Sequence, residues 1–178
     1  MKTLTLLRHA KSGWDDPVAR DFDRPLNPKG RRAAAMVGRE MRTLELAFDH
    51  VVASPAIRVV ETLGAISDGY GRAIDPVWDR RLYLASAATL LDMVRETATD
   101  TQRLLLVGHN PGIEDLVLML VGAGDETLRA GVAEKYPTAT LAEMTLDGDW
   151  RDAGEGTATL TRFVRPRDLD PSLGPDAD

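Results

Sequence analysis

Apolar and polar positions fall into blocks along this chain that read in turn as strands and helices. Residues 3–7 (TLTLL) form a short apolar run that stops at Arg8-His9, which suits a buried strand. Residues 11–28 are polar and rich in Asp and Pro, hence a loop, and Asn27-Pro28-Lys29-Gly30 is a turn or helix start. Over residues 30–46, Ala33, Ala34, Val37, Met41 and Leu44 recur at helical spacing. Residues 48–53 (FDHVVA) are a second strand. Ser54-Pro55 reads as an N-cap with proline at the first helical position, opening a helix to about Gly69.

Residues 76–78 suit a short strand, and residues 86–98 a helix with Leu90, Leu91 and Val94 on one face. Residues 103–107 (RLLLV) are a third clear strand, followed by the turn Gly108-His109-Asn110-Pro111-Gly112 and an apolar helix over 113–121. Two alternating runs, 140–146 and 157–163, predict half-exposed strands joined as a hairpin across 147–156. Strands alternating with helices predict an α/β fold with a mainly parallel sheet covered on both faces. Residues 1–165 are expected to form one domain, and the Pro- and Asp-containing residues 166–178 a flexible C-terminal tail.

Composition narrows the chemistry. The chain has 178 residues, enough for one substantial core. Its net charge of -6 lacks the cationic excess that neutralises a nucleic-acid backbone. There is no cysteine, so disulfides, thiolate zinc sites and cysteine nucleophiles are excluded. The apolar run at the N-terminus is too short for a signal peptide, and no stretch approaches the length of a membrane span. The expected location is the cytoplasm, with no membrane partner.

In open α/β sheets, ligands bind beyond the carboxyl ends of the strands. Three predicted strands end in Arg8-His9, in Ser54-Pro55-Ala56-Ile57-Arg58 and in Gly108-His109-Asn110. Two histidines and two arginines therefore point to one pocket. Arg58 falls in the first turn of its helix, where a cation opposes the dipole unless an anion binds there. A neutral imidazole can attack phosphorus and carry the phosphoryl group. Two guanidiniums can clamp phosphate oxygens, and a second, protonated histidine can bind the same group. That chemistry requires no metal or other cofactor.

The segments LLRHAKSGW, SPAIRVVET and VGHNPG, in this order and at these separations, resemble the histidine phosphatase, or phosphoglycerate mutase-like, superfamily. The segments DFDRPLNPKG and RRLYLAS resemble its SixA branch, the phosphohistidine phosphatases. The resemblance spans roughly residues 1–165 and implies a three-layer α/β/α sandwich. It implies His9 as nucleophile, with Arg8, Arg58 and His109 completing the phosphate pocket. Ser12 and Asn110, beside the two histidine motifs, are further candidates for phosphate contact. The implied substrate is a phosphohistidine protein such as a histidine phosphotransfer domain. A small phosphate ester, or a phospho-ligand binding module without turnover, are the alternatives.

The chain departs from the superfamily pattern twice. Ala10 stands where glycine is usual, so an ordinary backbone conformation is expected there. The glutamate that larger members carry on an insertion is absent, and the matching stretch, residues 78–85, offers only Asp79. Asp21, placed by the landmark Arg24-Pro25-Leu26, is the first candidate acid, with Asp16 and Asp79 as rivals. A phosphoramidate leaves as an imidazole and needs an acid less than an ester does. Arg24 is expected to pair with a nearby carboxylate. Lys11, Arg20 and Arg24 could form a basic rim, and Trp14 either packs or lines the pocket mouth.

Overall fold

In a computed structural model, which describes residues 1–13, 20–124 and 126–175, seven strands form one mixed sheet. In chain order the strands are β1 (Lys2–Arg8), β2 (His50–Ala53), β3 (Val77–Trp78), β4 (Arg103–Gly108), β5 (Val121–Gly124), β6 (Leu141–Leu146) and β7 (Ala158–Val164). Their order across the sheet is β3-β2-β4-β1-β6-β7-β5. Only β6 among them runs against its neighbours, so the sheet is mainly parallel, as expected. The β6–β7 pairing is the expected hairpin.

Alternate residues of the central strands feed opposite faces. Leu104 and Leu106 enter one cluster, and Leu105 and Val107 the other. Six helices accompany the sheet: α1 (Pro28–Thr43), α2 (Ile57–Tyr70), α3 (Ala87–Arg95), α4 (Gly112–Leu120), α5 (Glu126–Glu134) and α6 (Pro166–Leu169). Helices α3, α4 and α5 contribute to the first cluster, α1 and α2 to the second, which makes the layering α/β/α. Helices α1 and α2 cross in close contact. A Cβ on Gly38 would lie 2.3 Å from the Ile66 carbonyl oxygen, and one on Gly69 would lie 2.1 Å from that of Ala35. No helix among the described residues is long and apolar enough to cross a membrane.

The expected apolar helix is α4, which gives way to β5 at Val121. Two local expectations are corrected. Ser54 does not cap α2, which starts at Ile57 after an extended Ala56. Residues 166–174 do not form the expected tail. Pro166 opens α6, Leu169 and Leu173 pack on the α1 side of the core, and the Lys29 ammonium donates to the Gly174 carbonyl at 2.6 Å. Apolar anchors four residues apart tie this segment down.

Candidate active site

Parallel pairing brings the carboxyl ends of β1, β2 and β4 to one edge, since Arg8 is in register with Gly108 and Ala53 with Val107. A cavity of about 390 Å³ opens there. All of the expected residues line it: Arg8, His9, Ser12, Asp21, Arg58, His109 and Asn110. Lys11, Arg24, Leu84 and Thr138 complete its described wall. Asp79 lies elsewhere, capping a short turn and pairing with Arg81 at 2.8 Å. Asp16 and Trp14 fall outside the described residues.

His9 is buried, and its Nδ1 lies 2.7 Å from the carbonyl oxygen of Ala10. A carbonyl only accepts, so Nδ1 carries the proton and Nε2 keeps its lone pair. Burial is the main cause that holds the imidazole down to about 3, with His109, Arg58 and Arg8 adding to it. His9 is therefore neutral at physiological pH. Ala10 has no positive φ, as expected for the alanine in this position. Its amide donates to Thr62 Oγ1 at 2.9 Å, and Thr62 in turn donates to the Arg58 carbonyl at 2.6 Å. This relay fixes the loop after β1 onto α2.

His109 sits 5.2 Å from His9, ring centroid to centroid. Its Nδ1 faces Arg58 Nη2 at 3.3 Å and its Nε2 faces Ser54 Oγ at 2.8 Å. A guanidinium only donates, so Nδ1 accepts and Nε2 carries the proton toward Ser54. Burial first, and the Arg58 charge second, hold His109 down to about 3. Burial beside two guanidiniums thus weighs against the expected protonated second histidine.

Arg58 is buried, yet it makes a fork onto Asp21. Its Nη1 donates to the Asp21 carbonyl at 2.9 Å and Nη2 to the Asp21 carboxylate at 3.0 Å. The anion that relieves this cation in the first turn of α2 is therefore supplied by the chain. Asp21 also accepts from Arg24 Nε at 2.9 Å and from the Tyr83 hydroxyl at 2.6 Å. Partial burial raises the Asp21 carboxyl, but the bonds from Tyr83, Arg58 and Arg24 outweigh it and hold the group at about 2. A carboxylate kept ionised in this way accepts from Arg58, Arg24 and Tyr83, which weighs against its expected role as the general acid.

Arg8 donates from Nη1 to the Tyr136 carbonyl at 2.9 Å. Among the described residues the buried Nε atoms of Arg8 and Arg58 have no hydrogen-bond partner, so both guanidiniums carry donor capacity left unmet there. Ser12 Oγ accepts from Arg24 Nη1 at 2.7 Å, which joins the first loop to the cation cluster. Asn110 donates to the Tyr136 carbonyl at 3.0 Å and accepts from the Glu114 amide at 3.2 Å, so both ends of its amide have protein partners. Among the described residues, no group of three or more His, Asp or Glu is placed to hold a metal ion.

Ser54, Thr62 and Tyr83 were not apparent from the sequence as parts of this site. Ser54 and Thr62 belong to the same segment as Arg58, and Thr62 is one helical turn beyond it, which is the available signal.

The family model described as histidine phosphatase superfamily (branch 1) matches residues 4–83. An uncharacterized protein of Mycobacterium tuberculosis is 34% identical over 164 residues, covering 90% of this chain and 100% of that protein. A solved structure from Agrobacterium tumefaciens, named as a SixA phosphohistidine phosphatase, is 30% identical with a TM-score of 0.78, covering 93% of this chain and 98% of that one. A second, so named, from Nakamurella multipartitia is 33% identical with a TM-score of 0.76, covering 93% and 96%.

Proposed function

We propose that this chain, which belongs to the histidine phosphatase superfamily and to its SixA-type branch, hydrolyses phosphohistidine on proteins through a phosphoryl group carried on His9 Nε2. The observation that carries the reading is the pairing of an unprotonated Nε2 with a pocket whose described carboxylate, Asp21, is held ionised. Among the described residues the site has a nucleophile and an anion clamp but no acid poised for an alkoxide.

In the first step the His9 Nε2 lone pair attacks phosphorus and the P–N bond of the substrate breaks. The substrate imidazole departs with that bond's electron pair, as a neutral molecule when its other ring nitrogen holds a proton. Arg8 and Arg58 neutralise the charge on the phosphoryl oxygens in transit. The ring of the phosphoenzyme then bears both phosphorus and the Nδ1 proton, and is positive. Its bond to the Ala10 carbonyl stabilises that charge, while burial opposes it. The intermediate is thus kept reactive.

In the second step water attacks the phosphorus. The P–Nε2 bond electrons return to His9, which leaves as the starting neutral tautomer. Once a phosphoryl dianion fills the pocket, the field that keeps His109 neutral is offset, and His109 can take up a proton and hold an oxygen. Ser54 orients its ring throughout. The reading needs no metal, and it places the enzyme in the cytoplasm alongside histidine phosphotransfer domains or similar substrates.

The test is turnover of a phosphohistidine protein against a panel of phosphate monoesters, with EDTA present. Phosphohistidine hydrolysis that exceeds ester hydrolysis and survives EDTA is expected. Fast ester hydrolysis would overturn the substrate assignment in favour of small phosphate esters. Loss of turnover on chelation would overturn the metal independence.

A further inference from the structure

A second cleft, of about 280 Å³, shares Arg8, Lys11 and Thr138 with the catalytic pocket and continues its basic wall outward. Five cations line it: Arg8, Lys11, Lys29, Lys135 and Arg167. No Asp or Glu stands among its described lining residues. The chain as a whole is acidic at -6, so this sign reversal is local and adjoins the reacting centre. Lys11 and Lys29 have interactions of their own, and the charge that Arg8, Lys135 and Arg167 add to this wall favours an anionic occupant. Arg167 acts electrostatically on the neighbouring Asp168, and its charge and that of Lys135 extend the wall beyond the catalytic pocket.

Leu84 also lines the catalytic pocket. It is 57% exposed and held at φ 51, a left-handed conformation that disfavours a leucine. The backbone thus pays strain to present an apolar side chain to solvent beside the reacting centre. A small anion would leave that side chain uncovered. A polypeptide bound over the pocket would cover Leu84 and reach the cationic cleft that adjoins it.

We propose that the cleft lined by Lys29, Lys135 and Arg167 is a docking subsite for an acidic segment that flanks the phosphohistidine of the protein substrate. This rests on the phosphohistidine reading for the reaction and adds the sequence context that the enzyme selects. Such selection acts chiefly on binding, because the cleft lies beside the attacking nitrogen rather than on it.

The experiment compares two phosphohistidine peptides, one flanked by aspartates and one by serines and glutamines, at low salt. Each solvent-screened ion pair contributes modestly, so two or three of them predict about a five- to tenfold preference for the acidic peptide in kcat/KM, carried by KM. The double variant Lys135→Glu/Arg167→Glu is expected to abolish the preference with kcat on the neutral peptide unchanged. A control with the same charge change at the opposite edge of the sheet, Arg103→Glu/Arg151→Glu, is expected to keep it. Equal turnover of both peptides by the unmodified enzyme, or equal loss of preference in the control, would overturn the docking subsite while leaving the phosphohistidine reading intact. If neither peptide is hydrolysed, the reaction reading falls instead. Fluorescence anisotropy of the labelled acidic peptide without phosphate then decides the subsite: binding lost in the Lys135/Arg167 variant supports it, and equal or no binding overturns it.

Discussion

At the end of β1, His9 gives its Nδ1 proton to a carbonyl and has no partner at Nε2 among the described residues. At the end of β4, His109 has both nitrogens engaged, one by Arg58 and one by Ser54. Both rings are buried and both are held neutral by that burial. Their difference comes from partner chemistry alone. An acceptor on one side leaves a lone pair for attack on the other, whereas a cationic donor consumes it. In the proposed reaction the same residue type serves as nucleophile at one strand end and as an oriented oxygen-binding group at the other.

The sharpest way to break this division is to remove each ring in turn. His9→Ala is expected to lower phosphohistidine turnover by about 10⁴-fold or more. His109→Ala is expected to cost about 10²–10³-fold, the usual range for one transition-state donor, and still to form phosphoenzyme. Quenched single-turnover reactions separate the two. Equal loss of phosphoenzyme in both variants would erase the distinction.

Asp21 sharpens the comparison from the Arg58 side. Asp21→Asn keeps a side chain that can meet Tyr83 and Arg58 but removes the charge. If Asp21 orients Arg58, turnover falls about tenfold with an unchanged pH profile, an effect near one charge-assisted hydrogen bond. A loss above about 10²-fold together with a vanished acid limb would restore it as the proton donor.

Thermal unfolding across pH reads the two buried rings directly. Burial holds both histidines down to about 3 in the fold, against an ordinary value of 6.5. Between those values the unfolded chain binds more protons, so stability is full above about pH 6.5 and is lost as pH falls toward 3. Asp21 adds a contribution present above 3.8 and lost as pH falls through about 2. The melting temperature is expected to drop steadily on acidification through the histidine window, and the double variant His9→Gln/His109→Gln to flatten that drop. An unflattened curve would mean that other groups cause it.

The smallest effect is expected for Ser54→Ala. One neutral hydrogen bond of about 1 kcal/mol amounts to roughly a fivefold loss in turnover. Nitrogen chemical shifts of His109 in the unliganded enzyme should move from a fixed Nε2–H tautomer toward a mixture. Unchanged shifts would deny Ser54 its orienting role.

Much of this arrangement is legible in the sequence because strand ends are. An apolar run that stops at Arg8-His9 or at Gly108-His109 announces both the strand and the edge where its chemistry sits. Residues 121–134 gave no comparable signal. Strand β5 follows α4 without a break and is half glycine, and α5 buries only Val132. Ser54 was misread because serine before proline also suits a helix cap, and local sequence cannot tell a cap from a hydroxyl taken by a histidine 55 positions away. Asp21 was legible as a site residue but not as an ionised one, since its state depends on Tyr83, Arg58 and Arg24 converging through the fold. Residues 166–174 combine prolines and aspartates with leucines, and only the packing of Leu169 and Leu173 separates an anchored segment from a tail.

The central claim is that His9 Nε2 forms the bond to phosphorus. Incubation with a phosphohistidine protein in EDTA, followed by alkaline quench and peptide mapping with isomer-resolved analysis, tests it most directly. The account predicts an acid-labile phosphoryl group on His9, as the Nε2 isomer, absent from His9→Ala. A phosphoryl group on the Nδ1 atom or on another residue, or turnover that survives in His9→Ala, would contradict it.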